Sequence, residues 1–164
     1  MNVVVADITT LHVDAIVNAA NEGLTRGGGV CGAIFRAAGP ELDAACASLA
    51  PCPTGEARVT PGFHAKARWI VHAVGPIWQG GTRGEAALLS SAYRMALRAG
   101  ADAGARSIAF PAISTGIYGY PRDAAADVAI AAVCDWRAST GERLEVIFCA
   151  FNEDDAQLYR ARLG

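Results

Sequence analysis

The stretch SIAFPAISTGIYGYPRDAAADVAIAAVCDWRA, residues 107–138, has the residue pattern of a strand, a loop and a helix in succession. Its first part, Ser107–Pro111, is short and apolar, which predicts a strand. Pro121 suits the first turn of a helix over Arg122–Ala138, and Asp123 suits the positive end of the helix dipole. Alanine and valine then recur at a spacing of three to four residues, which gives this helix a buried face. The stretch therefore predicts a strand–loop–helix unit of an α/β domain.

Outward from this unit, short apolar runs alternate with alanine-rich stretches along the chain. Two runs, Trp69–Val71 and Val146–Phe148, are almost continuously apolar, as in strands covered on both faces. The predicted strands are Val3–Ala6, Ala15–Asn18, Ala57–Thr60, Trp69–Val74, Ser107–Pro111 and Glu145–Phe151. The predicted helices are Gly32–Ala38, Glu41–Ser48, Gly84–Gly100, Arg122–Ala138 and Asp154–Arg162. The alternation predicts a three-layer α/β/α sandwich, and the length predicts a single domain over residues 1–164.

The amino-acid composition and net charge argue against some classes of protein. Apolar residues make up 52% of the 164 residues and charged residues 18%, which predicts a buried core and excludes a disordered chain. The formal charge of −2 argues against a nucleic-acid binder with a basic surface. An anionic ligand held by backbone amides remains compatible with this charge.

The sequence predicts a cytoplasmic protein without a membrane partner. No apolar run approaches the roughly 20 residues that a membrane helix needs, and the N-terminus lacks the pattern of a signal peptide. The five cysteines are scattered and odd in number, which favours reduced thiols. No element shows the ligand spacing of a metal site, so no metal is predicted.

Two glycine-containing loops are the candidate ligand site. Asn18–Asn21 leads to Gly27–Gly32, and Ser114–Tyr120 follows the strand at residue 107. Both loops follow strands and run into helices, so their amides and the helix N-termini could bind a diphosphate without lysine or arginine. The alternative is that the glycines only form tight turns.

Other chemistries fit poorly. Gly27–Gly32 matches G-x-G-x-x-G, but it begins too far after its strand for a dinucleotide fingerprint. A Walker A loop and a serine-hydrolase elbow are absent. His72 lies within an apolar strand, which favours a satisfied core histidine over a catalytic one.

Several motifs together resemble the macro domain family. They include Ile16–Asn21, Gly27–Val30, Arg36–Gly39, Phe110–Gly116 and Tyr118–Pro121, and the likeness runs from about residue 3 to residue 160. The resemblance implies an α/β/α sandwich with a central mixed, mostly parallel sheet of about six strands. Within the family the chain is similar to the bacterial MacroD-like group. This likeness implies hydrolysis of O-acetyl-ADP-ribose and removal of mono-ADP-ribose esters from acidic side chains, with no cofactor.

The resemblance also assigns roles to residues. Asp7 would accept a hydrogen bond from the adenine amino group beside the backbone of Ile8, Phe151 would stack on the adenine, and Asn152 would lie near the proximal ribose. Core packing is the alternative for Phe151. Ser114, Thr115, Gly116, Ile117 and Tyr118 would wrap the diphosphate, and Tyr118 would close over the distal ribose. Asn21 would bind the hydroxyls of that ribose, with Gly28, Gly29 and Val30 beneath it, while Asn18 would tie its own loop together.

The chain departs from the family pattern at the catalytic end of this site. Cys31 stands where active members usually have an aspartate that orients or activates water, and Phe35 stands where a histidine is usual. A neutral thiol is a poor base at pH 7, so three alternatives stay open. Either Asn21 and a ligand phosphate hold the water and the chain is a hydrolase, or it binds ADP-ribose without turnover, or Cys31 is itself a nucleophile. We expect a monomer that binds no nucleic acid.

Overall fold

The computed structural model describes residues 1–164 and shows six strands and five α-helices. The strands are β1 (Asn2–Val5), β2 (Ala15–Ala19), β3 (Ala57–Pro61), β4 (Trp69–Ala73), β5 (Ser107–Phe110) and β6 (Glu145–Ala150). The helices are α1 (Gly29–Ala38), α2 (Glu41–Leu49), α3 (Glu85–Asp102), α4 (Arg122–Thr140) and α5 (Glu153–Leu163). A short 3-10 helix, Ile8–Thr10, follows β1.

All six strands form one sheet in the order β1-β6-β5-β2-β4-β3. Every neighbouring pair is parallel except β3 with β4, which is antiparallel. The sheet is therefore mixed and mostly parallel, as the family resemblance implied. Because β1, β6, β5 and β2 run in the same direction, their carboxyl ends meet at one edge of the sheet.

Helices cover both faces of the sheet. The apolar side chains of α3, α4 and α5 pack on one face, against strand residues such as Val17 and Phe110. Those of α1 and α2 pack on the other face, against Ile16 and Ile70. Successive strand residues point to opposite faces, so a nearly continuous apolar strand serves both cores. The prediction of a three-layer α/β/α sandwich is confirmed.

Several boundaries differ from the prediction, and two of the differences affect the site. Helix α1 begins at Gly29 instead of Gly32, because a run of glycines is a poor helix signal although it can form a first turn. Strand β6 ends at Ala150, so Phe151 lies outside the strand. The other bounds move by one or two residues, and Pro121 caps α4 instead of lying in its first turn. No helix is both long enough and apolar enough to cross a membrane.

Candidate functional site

The strand order brings all the predicted site segments to one edge of the sheet. Four neighbouring strands, β1, β6, β5 and β2, end there in that order. The segments that follow them are Asp7–Ile8, Phe151–Asn152, Ser114–Tyr118, and Asn21 with Gly28–Val30. Three interstrand spacings amount to about 14 Å, so the segments line an elongated cleft instead of a single point.

Asp7 lies at the first end of the cleft, directly after β1. Its Oδ1 accepts hydrogen bonds from the amide and the hydroxyl of Thr9, at 2.9 and 2.7 Å. These bonds lower the pKa of Asp7, so the carboxylate is charged at neutral pH. Oδ2 makes no hydrogen bond within the chain and can accept one from a ligand. Ile8 is buried, which anchors the turn that presents Asp7.

Phe151 lies beside Asp7, because Val5 of β1 pairs with Ala150 of β6. Its ring is 91% exposed, so the alternative of core packing is wrong. An exposed phenylalanine next to an acceptor such as Asp7 Oδ2 suits a flat, apolar ring that carries an amino group. The side-chain oxygen of Asn152 accepts a bond from the amide of Asp155 at 2.8 Å and caps α5. The side-chain nitrogen of Asn152 donates to no group of the chain and is free for a ligand.

Several backbone amides of the loop after β5 are left without acceptors. The amides of Gly116, Ile117 and Tyr118 donate to no backbone acceptor, whereas those of Gly119 and Tyr120 close the loop onto Gly116 and Ser114. Ser114 is buried with φ +68°, a conformation that costs a non-glycine residue energy. Successive free N–H groups of this kind form an anion-binding concavity.

A second set of free amides begins α1. The N-cap Gly28 supplies no side-chain cap, and the first intrahelical bond comes from the amide of Gly32 to the carbonyl of Gly28. The amides of Gly29, Val30 and Cys31 thus lack intrahelical acceptors, and the helix dipole adds positive potential there. Gly29 has φ +57°, which glycine adopts without strain. A Cβ at Gly28 or Gly29 would meet open space, so a ligand can approach this backbone closely.

Asn18 has a different role from the one predicted, and Asn21 has a loop-closing role in addition to its predicted one. Asn21 closes the loop, since its Oδ1 accepts from the amide of Thr25 and its Nδ2 donates to the carbonyl of Thr25, both at 3.0 Å. The second hydrogen of Nδ2 remains available to a ligand. Asn18, predicted to tie this loop together, is instead buried and its Nδ2 lies 3.1 Å from Nδ1 of His72. That part of the prediction is wrong, because Asn18 still belongs to β2 and points toward the neighbouring strand.

Cys31 is buried in the first turn of α1 and its Sγ lies 3.8 Å from the carbonyl oxygen of Thr25. This contact ties the thiol to the loop that precedes α1. Phe35, one turn later, is 1% exposed and packs in the core, so it does not line the cleft. The guanidinium of Arg26 lies 5.4 Å from the centre of the Phe35 ring and pairs with Asp43 at 3.0 Å.

Tyr118, the last residue of the first amide run, is half-buried. Burial, the nearby carboxylate of Glu22 and the nearby thiol of Cys31 all raise the pKa of the Tyr118 hydroxyl. The hydroxyl is therefore protonated at neutral pH and can donate a hydrogen bond. Its neighbour Ile117 is fully exposed, which leaves the loop tip open to solvent.

His72 is a core histidine, as its apolar strand predicted. It is fully buried, and its Nε2 lies 3.0 Å from the hydroxyl of Thr60 and 3.7 Å from Sγ of Cys46. Burial lowers the pKa of His72 to about 4, so the ring is neutral at pH 7. It belongs to β4 and is fully buried, so it does not line the cleft.

The sequence analysis missed the loop after β4, residues 74–84, which supports the cleft from beneath. Gly75 packs so closely on Ser114 that a Cβ there would lie 2.2 Å from Ser114 Oγ. The amide of Trp78 donates to the carbonyl of Tyr118 at 2.8 Å, and the rings of Trp78 and Tyr120 are 4.6 Å apart. Gly75, directly after a strand and followed by further glycines before a helix, repeats the pattern of the other two loops and could have identified this one.

Comparisons with known proteins agree with this architecture. The family model described as the macro domain matches residues 17–129. A macro domain-containing protein of Chlorobaculum tepidum is 52% identical over 159 residues, which cover 97% of this chain and 92% of that protein. A protein of Enterobacter cloacae named O-acetyl-ADP-ribose deacetylase is 48% identical over 167 residues, 99% of this chain and 93% of that protein.

Solved structures are similar over the same length. The Oceanobacillus iheyensis macrodomain with ADP has a TM-score of 0.90 and 40% identity, with 98% of this chain and 88% of that chain covered. The Trypanosoma brucei macrodomain in complex with ADP-ribose has a TM-score of 0.91 and 38% identity, with 99% of this chain and 68% of that chain covered. Fold and sequence agree: the chain belongs to the macro domain family.

Proposed function

We propose that this chain binds ADP-ribose along the cleft and hydrolyses its esters, with O-acetyl-ADP-ribose or mono-ADP-ribosylated acidic side chains as substrates. The observation that carries the proposal is the pair of free amide runs, Gly116–Tyr118 and Gly29–Cys31, at the ends of adjacent strands. The names of relatives support it, since one is named O-acetyl-ADP-ribose deacetylase and one solved relative is a complex with ADP-ribose.

The order of the segments fits the order of groups in this ligand. Adenine stacks on Phe151 and its amino group donates to Asp7 Oδ2. The diphosphate lies against the amides of Gly116–Tyr118. The distal ribose lies over Gly28–Val30, where the free hydrogen of Asn21 Nδ2 reaches its hydroxyls and Tyr118 covers it.

Backbone amides can hold the diphosphate without side-chain cations. Neither the segment Gly27–Cys31 nor the segment Ser114–Gly119 contains lysine or arginine. Fixed N–H dipoles in a partly dehydrated cleft interact with an anion more strongly than they would in water. A net charge of −2 is therefore compatible with binding a doubly charged ligand.

In the proposed reaction, water adds to the acyl carbon of the ester and the bond to the ribose oxygen breaks. The released hydroxyl takes up a proton, and the acyl group leaves as a carboxylate with loss of a second proton to solvent. We place the water between a ligand phosphate and the distal-ribose hydroxyls that Asn21 Nδ2 orients, and Cys31, whose thiol donates to the carbonyl of Thr25, is not the base. Positioning without a base still accelerates such a reaction, although a base typically adds about 10²–10⁴ in rate.

A second function, ADP-ribose binding without turnover, is favoured by one observation. The first turn of α1 carries a buried thiol where the resemblance leads us to look for a carboxylate. Binding depends on amides and is unaffected by this exchange, whereas water activation depends on the missing base.

The test is to incubate the protein with O-acetyl-ADP-ribose and to measure ADP-ribose binding by calorimetry. Release of acetate above the buffer rate supports the hydrolase, and micromolar binding without release leaves the binding module. Absence of binding heat contradicts both. Cys31→Asp should increase the rate, while Cys134→Asp, which adds the same carboxylate on the exposed face of α4, should leave it unchanged.

A further inference from the structure

We infer that Glu85 is a positioning residue for the ligand loop Ser114–Tyr118. The inference rests on the proposed binding of ADP-ribose and identifies a residue outside the cleft that determines the affinity. Glu85 is the first residue of α3 and is only 2% exposed.

The carboxylate of Glu85 accepts hydrogen bonds from three backbone amides of the preceding loop. Oε2 accepts from the amides of Gln79 and Gly81 at 2.9 and 2.8 Å, and Oε1 accepts from the amide of Arg83 at 2.6 Å. Burial opposes ionisation, but these bonds outweigh it and lower the pKa of Glu85 to about 2. The loop is therefore held by a carboxylate that is charged at neutral pH and accepts hydrogen bonds on both of its oxygens.

A continuous series of contacts joins the Glu85 carboxylate to the ligand loop Ser114–Tyr118. Gly81, which donates to Glu85, packs under Trp78 so closely that a Cβ would lie 2.8 Å from the indole ring. Trp78 then donates its amide to Tyr118 at 2.8 Å and packs its ring on Tyr120. The backbone carbonyl that receives this bond belongs to Tyr118, whose own amide donates to no acceptor in the chain.

This arrangement explains why a buried charge is kept at the start of α3. To stabilise the N-terminus of α3, an acidic residue or a capping residue near the positive end of the helix dipole is enough, and its side chain could be exposed to solvent. Three bonds into the loop instead fix Trp78 and hence the orientation of the amides of Gly116–Tyr118. When the loop is released, only a fraction of molecules hold it in the binding conformation, and the apparent Kd rises in inverse proportion to that fraction.

The test is Glu85→Gln, which keeps the shape but places an NH₂ group against amide donors. At a temperature where the variant is fully folded, we expect its Kd for ADP-ribose to be about tenfold higher than that of the wild type. This value corresponds to about a tenth of the variant molecules holding the loop in the binding conformation. Hydrogen exchange should become faster at residues 79–83 and also at residues 114–120. The matched control is Asp14→Asn, because Asp14 accepts the amide of Arg106 at 2.7 Å at the opposite edge of the sheet.

If Glu85 has only a structural role, Glu85→Gln will lower the melting temperature but leave the Kd of the folded protein unchanged, and faster exchange will be confined to residues 79–84. This result would overturn the inference. If Glu85→Gln does not fold, Gly81→Ala decides, since its Cβ displaces Trp78 while the carboxylate stays. If wild-type protein binds no ADP-ribose, the proposed function fails, and the exchange at residues 114–120 still tests the coupling on its own.

Discussion

Acid should destabilise this protein through His72 well before its carboxylates titrate. The buried ring has a pKa of about 4, whereas the unfolded chain takes up the proton near the ordinary value of 6.5. Between these values the unfolded state binds more protons, so the free energy of unfolding falls as the pH falls. The contribution is fully present above pH 6.5 and is lost as the pH decreases toward 4.

The size of the effect follows from the two pKa values. Their difference corresponds to about 3 kcal/mol over the full range, of which about 2 kcal/mol is lost between pH 7.5 and pH 5. For a domain of this size, that is a large part of the total stability of about 5–15 kcal/mol.

Urea denaturation at pH 7.5, 6.5, 5.5 and 5.0 measures this loss. His72→Gln keeps a polar group between Asn18 and Thr60 but cannot titrate, so its stability should be lower at pH 7.5 and almost constant across the series. His12→Gln, which changes an exposed histidine, should keep the wild-type slope. The reasoning is refuted if His72→Gln retains that slope, or if wild-type stability does not change between pH 7.5 and pH 5.

Three substitutions test the cleft by calorimetric titration with ADP-ribose. Phe151→Ala should weaken binding by about 1–3 kcal/mol, the usual value of a base stacked on an aromatic ring, and should leave the melting temperature unchanged because the ring is exposed. Gly116→Glu should fold normally, since a Cβ there meets nothing within 4 Å, but should raise the Kd at least about tenfold through bulk and charge against the diphosphate. Asn21→Ala removes both the loop closure and a ligand donor and should weaken binding by about 1–3 kcal/mol; wild-type affinity in this variant would show that Asn21 does not contact the ligand.

The layered fold could be predicted because its local signals agree with one another. In the segment that became β5 and α4, strand composition, a helix-starting proline and helical spacing all indicate the same structure. The start of α1 was missed for the opposite reason. Gly29 lowers helix propensity, yet the fold places it in the first turn, where free amides matter more than propensity.

Side-chain roles within the site were harder to predict than the site itself. Asn18 and Asn21 have the same chemistry and lie three residues apart, so only the end of β2 decides which is buried and which closes the loop. The exposure of Phe151 likewise depends on β6 ending one residue earlier than predicted. The role of Glu85 was not detectable from the sequence, because its partners are backbone amides, which every residue except proline has.

The two sets of free N–H groups also determine how this protein could be switched off. Acetylation or methylation of a lysine cannot remove a binding group from either segment, because neither contains one. A bulky adduct on the Cys31 thiol, in the first helical turn, would instead turn those dipoles away from the anion. Control by such an adduct would act on the shape of the site.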